Sequence, residues 1–299
     1  IYHVFERHLA EGDQAGVDRV IALWERIDPG SPHVLEVRAQ AALGAGRYAD
    51  AGKLFESLLD RSRSDAGSLH MPNAGLVYAR LLAGDVAGAL EHARMAAVPN
   101  GELPITSVLV EPIIYAHALG RGDQALATDW EARVRERMPS GARGGANYWQ
   151  LAYSMAIIDR LAGRDGGRAR WVGVGPGAAV PKRYRFEPQA RILAVLDAAA
   201  DDDRAALRRA AETDADLPAH HIAAALLAER EGRLASAADH LQAANGASAG
   251  GELHCVALAA LVRIERAAAH PAQADTACRH IRQPRVPSPF CLVAARACR

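Results

Sequence analysis

Residues 32 to 60, PHVLEVRAQAALGAGRYADAGKLFESLLD, form two stretches with apolar residues at every third or fourth position, split by Gly44, Ala45 and Gly46. That spacing gathers the apolar side chains on one face of a helix, and the glycine supplies the left-handed backbone that ends the first helix. Two helices joined by so short a turn must fold back on each other. Small residues, Ala39, Ala42 and Ala51, stand where the backbones have to approach, and Tyr48, Phe55 and Leu58 fill the remaining space. The same small-Gly-polar signal returns at Gly12-Asp13, Gly46-Arg47, Gly84-Asp85, Gly122-Asp123, Gly163-Arg164 and Gly232-Arg233. The first five are 34, 38, 38 and 41 residues apart. A period of that length is the signature of repeated helical hairpins, each burying its apolar face on the next.

The pattern resembles the tetratricopeptide repeat, which places small residues at the close contacts of two antiparallel helices, Gly at the turn and Asp-Pro at the end. Pro29, in Asp28-Pro29, stands 17 residues after Gly12, and Ala51, Ala89, Ala125 and Ala237 occupy the small position of the second helix. The resemblance covers most of residues 1 to 162 and returns from Pro218 to Ala244. Departures are Val17 in a small position, Arg38 in an apolar one, and Pro112 inside a first helix, where it is expected to kink or shorten it. The resemblance implies an all-α chain, a right-handed α-solenoid of antiparallel hairpins. It reads as a first block over 1–162, a Gly/Pro/Arg-rich linker over 163–187, a second block over 188–283 and a capping segment over 284–299. In such an arrangement the first helix of each pair lines a groove. His33, Glu36 and Gln40, with Tyr115 and His117, are then the expected groove contacts.

Charge narrows the partners. Lys+Arg and Asp+Glu are both 35, so no net field recruits nucleic acid or an anionic membrane. Arginine carries nearly all the positive charge, since Lys53 and Lys182 are the only lysines, a bias expected of a GC-rich bacterial genome. No run of about 18 apolar residues is present to span a bilayer. The sequence opens at Ile1, already inside a helical pattern and without a Met or leader, so it reads as a fragment or a processed product. The expected compartment is the cytoplasm, with the periplasm as the alternative.

Chemistry-bearing residues are few. Glycines 173, 175 and 177 lack the strand, helix start and Lys-Ser/Thr of a phosphate-binding loop. Around them Arg168, Arg170, Trp171, Lys182, Arg183 and Arg185 interleave basic and aromatic residues, a composition that can grip an anion or acidic peptide. The competing reading lays the same stems over the seam between helical blocks. His70-Met71-Pro72 followed by Arg80 resembles a signature of some bacterial repeat proteins, with Ala74 replacing its second His. His220 and His221, as neighbours, cannot chelate from one helix face.

All four cysteines, Cys255, Cys278, Cys291 and Cys298, fall in the last 45 residues. A hairpin turning near Ala268 would bring Cys255 towards Cys278, while Cys291 and Cys298 share a helical face. Buried free thiols are the other reading. His254-Cys255 and Cys278-x-His280 do not match zinc spacing, because adjacent helical residues point about 100° apart. No metal or cofactor is expected, and no nucleophile stands beside a matching base, so no catalytic residue is nominated. The expected function is a protein-protein interaction scaffold in a larger bacterial regulatory or assembly protein, holding a peptide or partner domain. The alternative is an anion or small-molecule sensor, or an enzyme, with its site near the Arg-rich loop.

Overall fold

The computed structural model describes residues 1–11, 13–61, 70–96, 105–138, 146–173, 188–212, 217–247, 253–283 and 288–299. Among them the chain is helical, without a strand. It separates into two compact units, Ile1–Ile114 and Tyr115–Arg282 with Ser288–Arg299. The break expected at 162 therefore falls inside the second unit.

The first unit runs through α1 (Tyr2–Glu11), α2 (Gln14–Ile27), α3 (Pro32–Gly44), α4 (Tyr48–Arg61), α5 (His70–Ala83) and α6 (Val86–Ala96). Each helix from α1 to α6 packs on the next, and α3 also packs on both α1 and α5. Phe5, Leu9, Val17, Val20, Val37 and Ala41 make one apolar cluster, with Ile21 and Trp24 against it. Arg38, expected in an apolar position, instead turns to the Glu25 carboxylate of α2.

Helix α7 (Ile105–Arg121) runs unbroken through Pro112, so the proline does not shorten it. The second unit continues with α8 (Gln124–Arg137), α9 (Ala146–Leu161), a π-helical turn Arg168–Val172, α10 (Pro188–Ala200), α11 (Arg204–Ala211), α12 (Pro218–Arg230), α13 (Leu234–Ala247), α14 (His254–Ala267), α15 (Pro271–Arg282) and α16 (Pro289–Ala294). Helices α9 and α10 pack directly, α12 packs on both α10 and α14, and α16 packs on α9, α14 and α15.

One turn geometry recurs. Gly46, Gly84, Gly122, Gly163 and Gly232 all have φ between 73° and 86°, and Asp202 and Ala269 adopt φ of 54° and 58° at the same place in their own hairpins. After each of these residues the next backbone N–H reaches back five residues: Arg47 to Ala42, Asp85 to Arg80, Asp123 to Ala118, Arg164 to Asp159, Asp203 to Ala198, Arg233 to Ala228 and His270 to Glu265, at 2.8 or 2.9 Å. This is the Schellman closure, which satisfies a carbonyl that the helix end leaves over. Where the residue after the turn is aspartate, it also starts the second helix. Asp85, Asp123 and Asp203 accept from the backbone N–H of Gly88, Leu126 and Ala206, filling a donor that the first turn exposes.

Five residues past every one of these turns except Gly163, where Arg168 is exposed, a side chain enters the hairpin contact. Ala51, Ala89, Ala127 and Ala237 are fully buried there, and Leu207 fills the place after Asp202. Ala125, expected in that position, is exposed, and Ala127 takes its role.

Candidate functional site

The second unit buries a charged cluster that begins at the Gly163 turn. Ordinary hairpin geometry would start a helix at Arg164, but Asp165, Gly166 and Gly167 follow, and the chain makes only the short π-helical turn against α9. A side chain at Gly167 would place a Cβ 2.9 Å from that of Asp159 and 3.1 Å from the Ala156 carbonyl oxygen. The glycine thus lets this backbone lie close on α9.

Asp159, on the last turns of α9, is the centre and is 0 % exposed. Its Oδ1 accepts from the Tyr115 hydroxyl at 2.6 Å, and its Oδ2 from the Trp171 ring N–H at 2.8 Å and the Arg170 guanidinium at 2.5 Å. Arg164 stands 3.3 Å from Oδ1 and also donates to the Tyr115 oxygen. Glu131 of α8 closes the cluster, contacting Arg164 at 3.0 Å and Arg170 at 3.3 Å. Two guanidiniums therefore bridge the same two carboxylates. Burial, and then the adjoining Asp159 charge, push the Tyr115 phenol above its ordinary range, so it stays protonated and donates.

Next to this cluster Asp197 of α10 accepts from Arg160 and Arg168, both at 2.6 Å. All four arginines between 160 and 170 are thus matched by carboxylates of the same chain. Of the residues expected to grip an anion, Arg168 and Arg170 are neutralised in this way, and Trp171 is buried with its N–H on Asp159. Lys182, Arg183 and Arg185, together with most of the glycine loop, lie outside the described residues. Tyr115, expected on a groove surface, is instead 0 % exposed and edge-on to Trp171, their ring centroids 5.6 Å apart. His117 is partly buried, and burial followed by the Arg121 charge lowers its pKa.

In the first unit, His33, Glu36 and Gln40 come together along one side of α3. The His33 ring is 3.4 Å from Glu36 and stacks on Trp24, and Gln40 donates to Glu36 at 3.4 Å. Arg80, from the His-Met-Pro segment, clamps three helices: it donates to Glu56 of α4 at 2.6 Å and to the Gly88 carbonyl of α6 at 2.8 Å. Ala74, at the position of the missing second histidine, is buried. His92 pairs instead with Asn73, at 2.6 Å.

The cysteines form two disulfides, Cys255 with Cys291 and Cys278 with Cys298. Neither free thiols nor a Cys255–Cys278 bridge is present. The hairpin turns at Ala269, so Cys255 lies 14 residues before the turn and Cys278 nine after it. At 1.5 Å per residue the two are offset by roughly 7 Å along the helices. Both reach the returning C-terminal segment instead. Its further ties are Arg296 to the Ala162 carbonyl at 2.8 Å, Arg266 to the Ala297 carbonyl at 2.6 Å, and Arg299 to the Gly120 carbonyl.

Neither the Asp159 cluster nor the α3 ridge combines a nucleophile with an activating base, and the Asp159 carboxylate is saturated with donors. The sequence matches no model of a known protein family, and no curated protein matches it.

Proposed function

We propose that the chain is a helical-repeat binding module, a right-handed α-solenoid of the tetratricopeptide type that serves as an interaction scaffold within a larger bacterial regulatory or assembly protein. The carrying observation is the single Schellman geometry repeated at seven turns among the described residues. A chain that spends its length repeating one hairpin builds an extended side-chain surface rather than a convergent catalytic pocket. The His33 and Glu36 edge supports the same reading, while Gln40, expected as a groove contact, is itself buried and donates to Glu36. The edge offers a partner hydrogen-bonded polar groups beside the half-buried Trp24 ring, with the His33 side chain 66 % exposed. A protein or peptide segment with a cation or backbone donors for Glu36 and an acceptor for His33 matches that edge.

The sensing alternative, an anion bound near the Arg-rich segment, has less support. The described arginines there already face carboxylates, and an incoming anion would have to displace them.

The test is quantitative cross-linking in native extract with the wild-type chain and a triple variant, His33→Ala, Glu36→Ala and Gln40→Ala, matched in helical content and melting temperature. A partner captured by the wild type and lost by the variant is the expected result. Equal capture by both chains would overturn the α3 assignment, and a metabolite that raises the melting temperature with no partner captured would favour the sensor.

A further inference from the structure

Adjacent residues on a helix point apart, yet His254 and Cys255 converge at the start of α14. The His254 Nε2 lies 3.4 Å from the Cys255 sulfur and 3.6 Å from the Cys291 sulfur that α16 brings across. Among the described residues this is the one place where three metal-ligating side chains meet. Two thiolates and an imidazole around tetrahedral zinc, with bonds of about 2.3 and 2.0 Å, hold nitrogen and sulfur about 3.5 Å apart. Both nitrogen-sulfur edges are therefore already near the metal-bound value. The remaining change is parting of the two sulfurs to about 3.8 Å, which breaking their bond permits.

We propose that His254, Cys255 and Cys291 form a three-ligand site for a soft divalent cation, with zinc as the reference, which opens when the Cys255–Cys291 disulfide is reduced. A dithiol reductant supplies the two electrons. One of its thiolates attacks a protein sulfur, and its second thiol then displaces the other bond and leaves the reductant as its own disulfide. The reductant's two protons end on Cys255 and Cys291. Zinc replaces those protons, which pass to solvent, and takes the Nε2 lone pair, so the imidazole proton resides on Nδ1. Water fills the fourth position on the His254 side, the half-exposed side of a site whose sulfurs are buried. Disulfide and metal are mutually exclusive because they use the same sulfurs. Each ties α16 to α14, so the C-terminal segment stays in place in either redox state. Cys278 and Cys298 carry no such cluster and provide the internal comparison.

The experiment reduces the whole chain, removes the reductant under inert gas, and titrates Zn²⁺ against a chromophoric chelator, with Co²⁺ absorption as a report of thiolate ligation. One equivalent bound by the reduced chain and none by the oxidised chain is expected. The double variant Cys278→Ser, Cys298→Ser should retain that site. His254→Ala, whose oxidised form keeps both disulfides, should weaken it by more than about tenfold, since even outer-shell partners act on that scale. Should reduction unfold the chain, zinc must restore its helical signal in the wild type and not in His254→Ala. Binding unchanged in His254→Ala, equal binding by the oxidised chain, or no binding and no refolding by the reduced chain would each overturn the proposal.

Discussion

Replacing Asp159 by alanine tests whether the Arg-rich segment is held by one buried carboxylate. The substitution leaves four donors without that acceptor, and they do not suffer equally. Arg164 and Arg170 have side chains 23 % exposed and both retain Glu131, so water and the second carboxylate recover part of their loss. Trp171 and Tyr115 are 0 % exposed. The Trp171 N–H is left without its acceptor, a cost of about 1–3 kcal/mol, and the Tyr115 hydroxyl loses a charge-assisted bond of about 1.5–3 kcal/mol while still accepting from Arg164. With the unbalanced guanidiniums, the total falls at about 3–5 kcal/mol, the usual cost of removing one partner from a buried ion pair.

Tyr115→Phe provides the scale. It removes one donor and leaves Asp159 with three, so it should cost about 1–2 kcal/mol. Asp159→Asn preserves shape but turns an amide N–H₂ towards a donor, and falls between the two. Urea unfolding followed by tryptophan fluorescence reads the order, since Trp130, Trp149 and Trp171 all belong to the second unit. The expected fall in melting temperature for Asp159→Ala is on the order of 10 °C. The double variant should cost less than the two single changes together, because both act on one bond. An Asp159→Ala chain within about 1 kcal/mol of wild type, or a Tyr115→Phe chain no more stable than it, would refute the assignment of Asp159 as the centre.

Ala269 adopts left-handed backbone, which disfavours a Cβ by about 1 kcal/mol; Ala269→Gly should raise the urea midpoint by a gain of up to that size, and a loss of stability would mean the turn is not held in that geometry. A methyl added by Gly120→Ala would fall 2.3 Å from the Leu292 carbonyl oxygen, so backbone must move at about 1–3 kcal/mol, and the Cys255–Cys291 bond should become faster to reduce; an unchanged reduction rate would show that the C-terminal segment does not rest there. Burial, then the Arg80 charge, hold the His92 imidazole below its ordinary range, opposed by Glu56. The unfolded chain therefore takes up that proton first as pH falls through about 6.5, and stability, constant above, declines from there towards the lower folded value. His92→Gln should make that decline shallower, and an identical pH profile would place its origin elsewhere.

What the sequence disclosed depended on whether a signal was local. Glycine marks a left-handed residue wherever it occurs, so the turns at Gly46, Gly84, Gly122, Gly163 and Gly232 could be read directly. The matching turns at Asp202 and Ala269 carry no such mark, because the surrounding hairpin imposes their conformation against intrinsic preference. Packing registers were legible only to within a residue or two: Ala125 and Ala127 are both small, and only the buried face distinguishes them. Tyr115 suffered from the same limit in α7, where a polar-tipped aromatic ring serves equally well on a surface or over a buried acceptor.

The Arg-rich segment shows what composition leaves out. Read along the chain, Arg160, Arg164, Arg168 and Arg170 form a cationic run without adjacent acids other than Asp159 and Asp165, which is the pattern of an anion site. Their remaining counterions come from α8 and α10, at Glu131 and Asp197, about thirty residues to either side. Four guanidiniums against Asp159, Glu131, Asp197 and the exposed Asp165 leave no surplus charge to recruit a ligand. The same long-range closure governs the cysteines, whose partners are set by where α16 returns rather than by spacing within a hairpin. On the proposed reading, a partner is therefore to be sought where polar groups reach solvent, at His33 on α3 and at His254, rather than among the described arginines, whose charge is already matched.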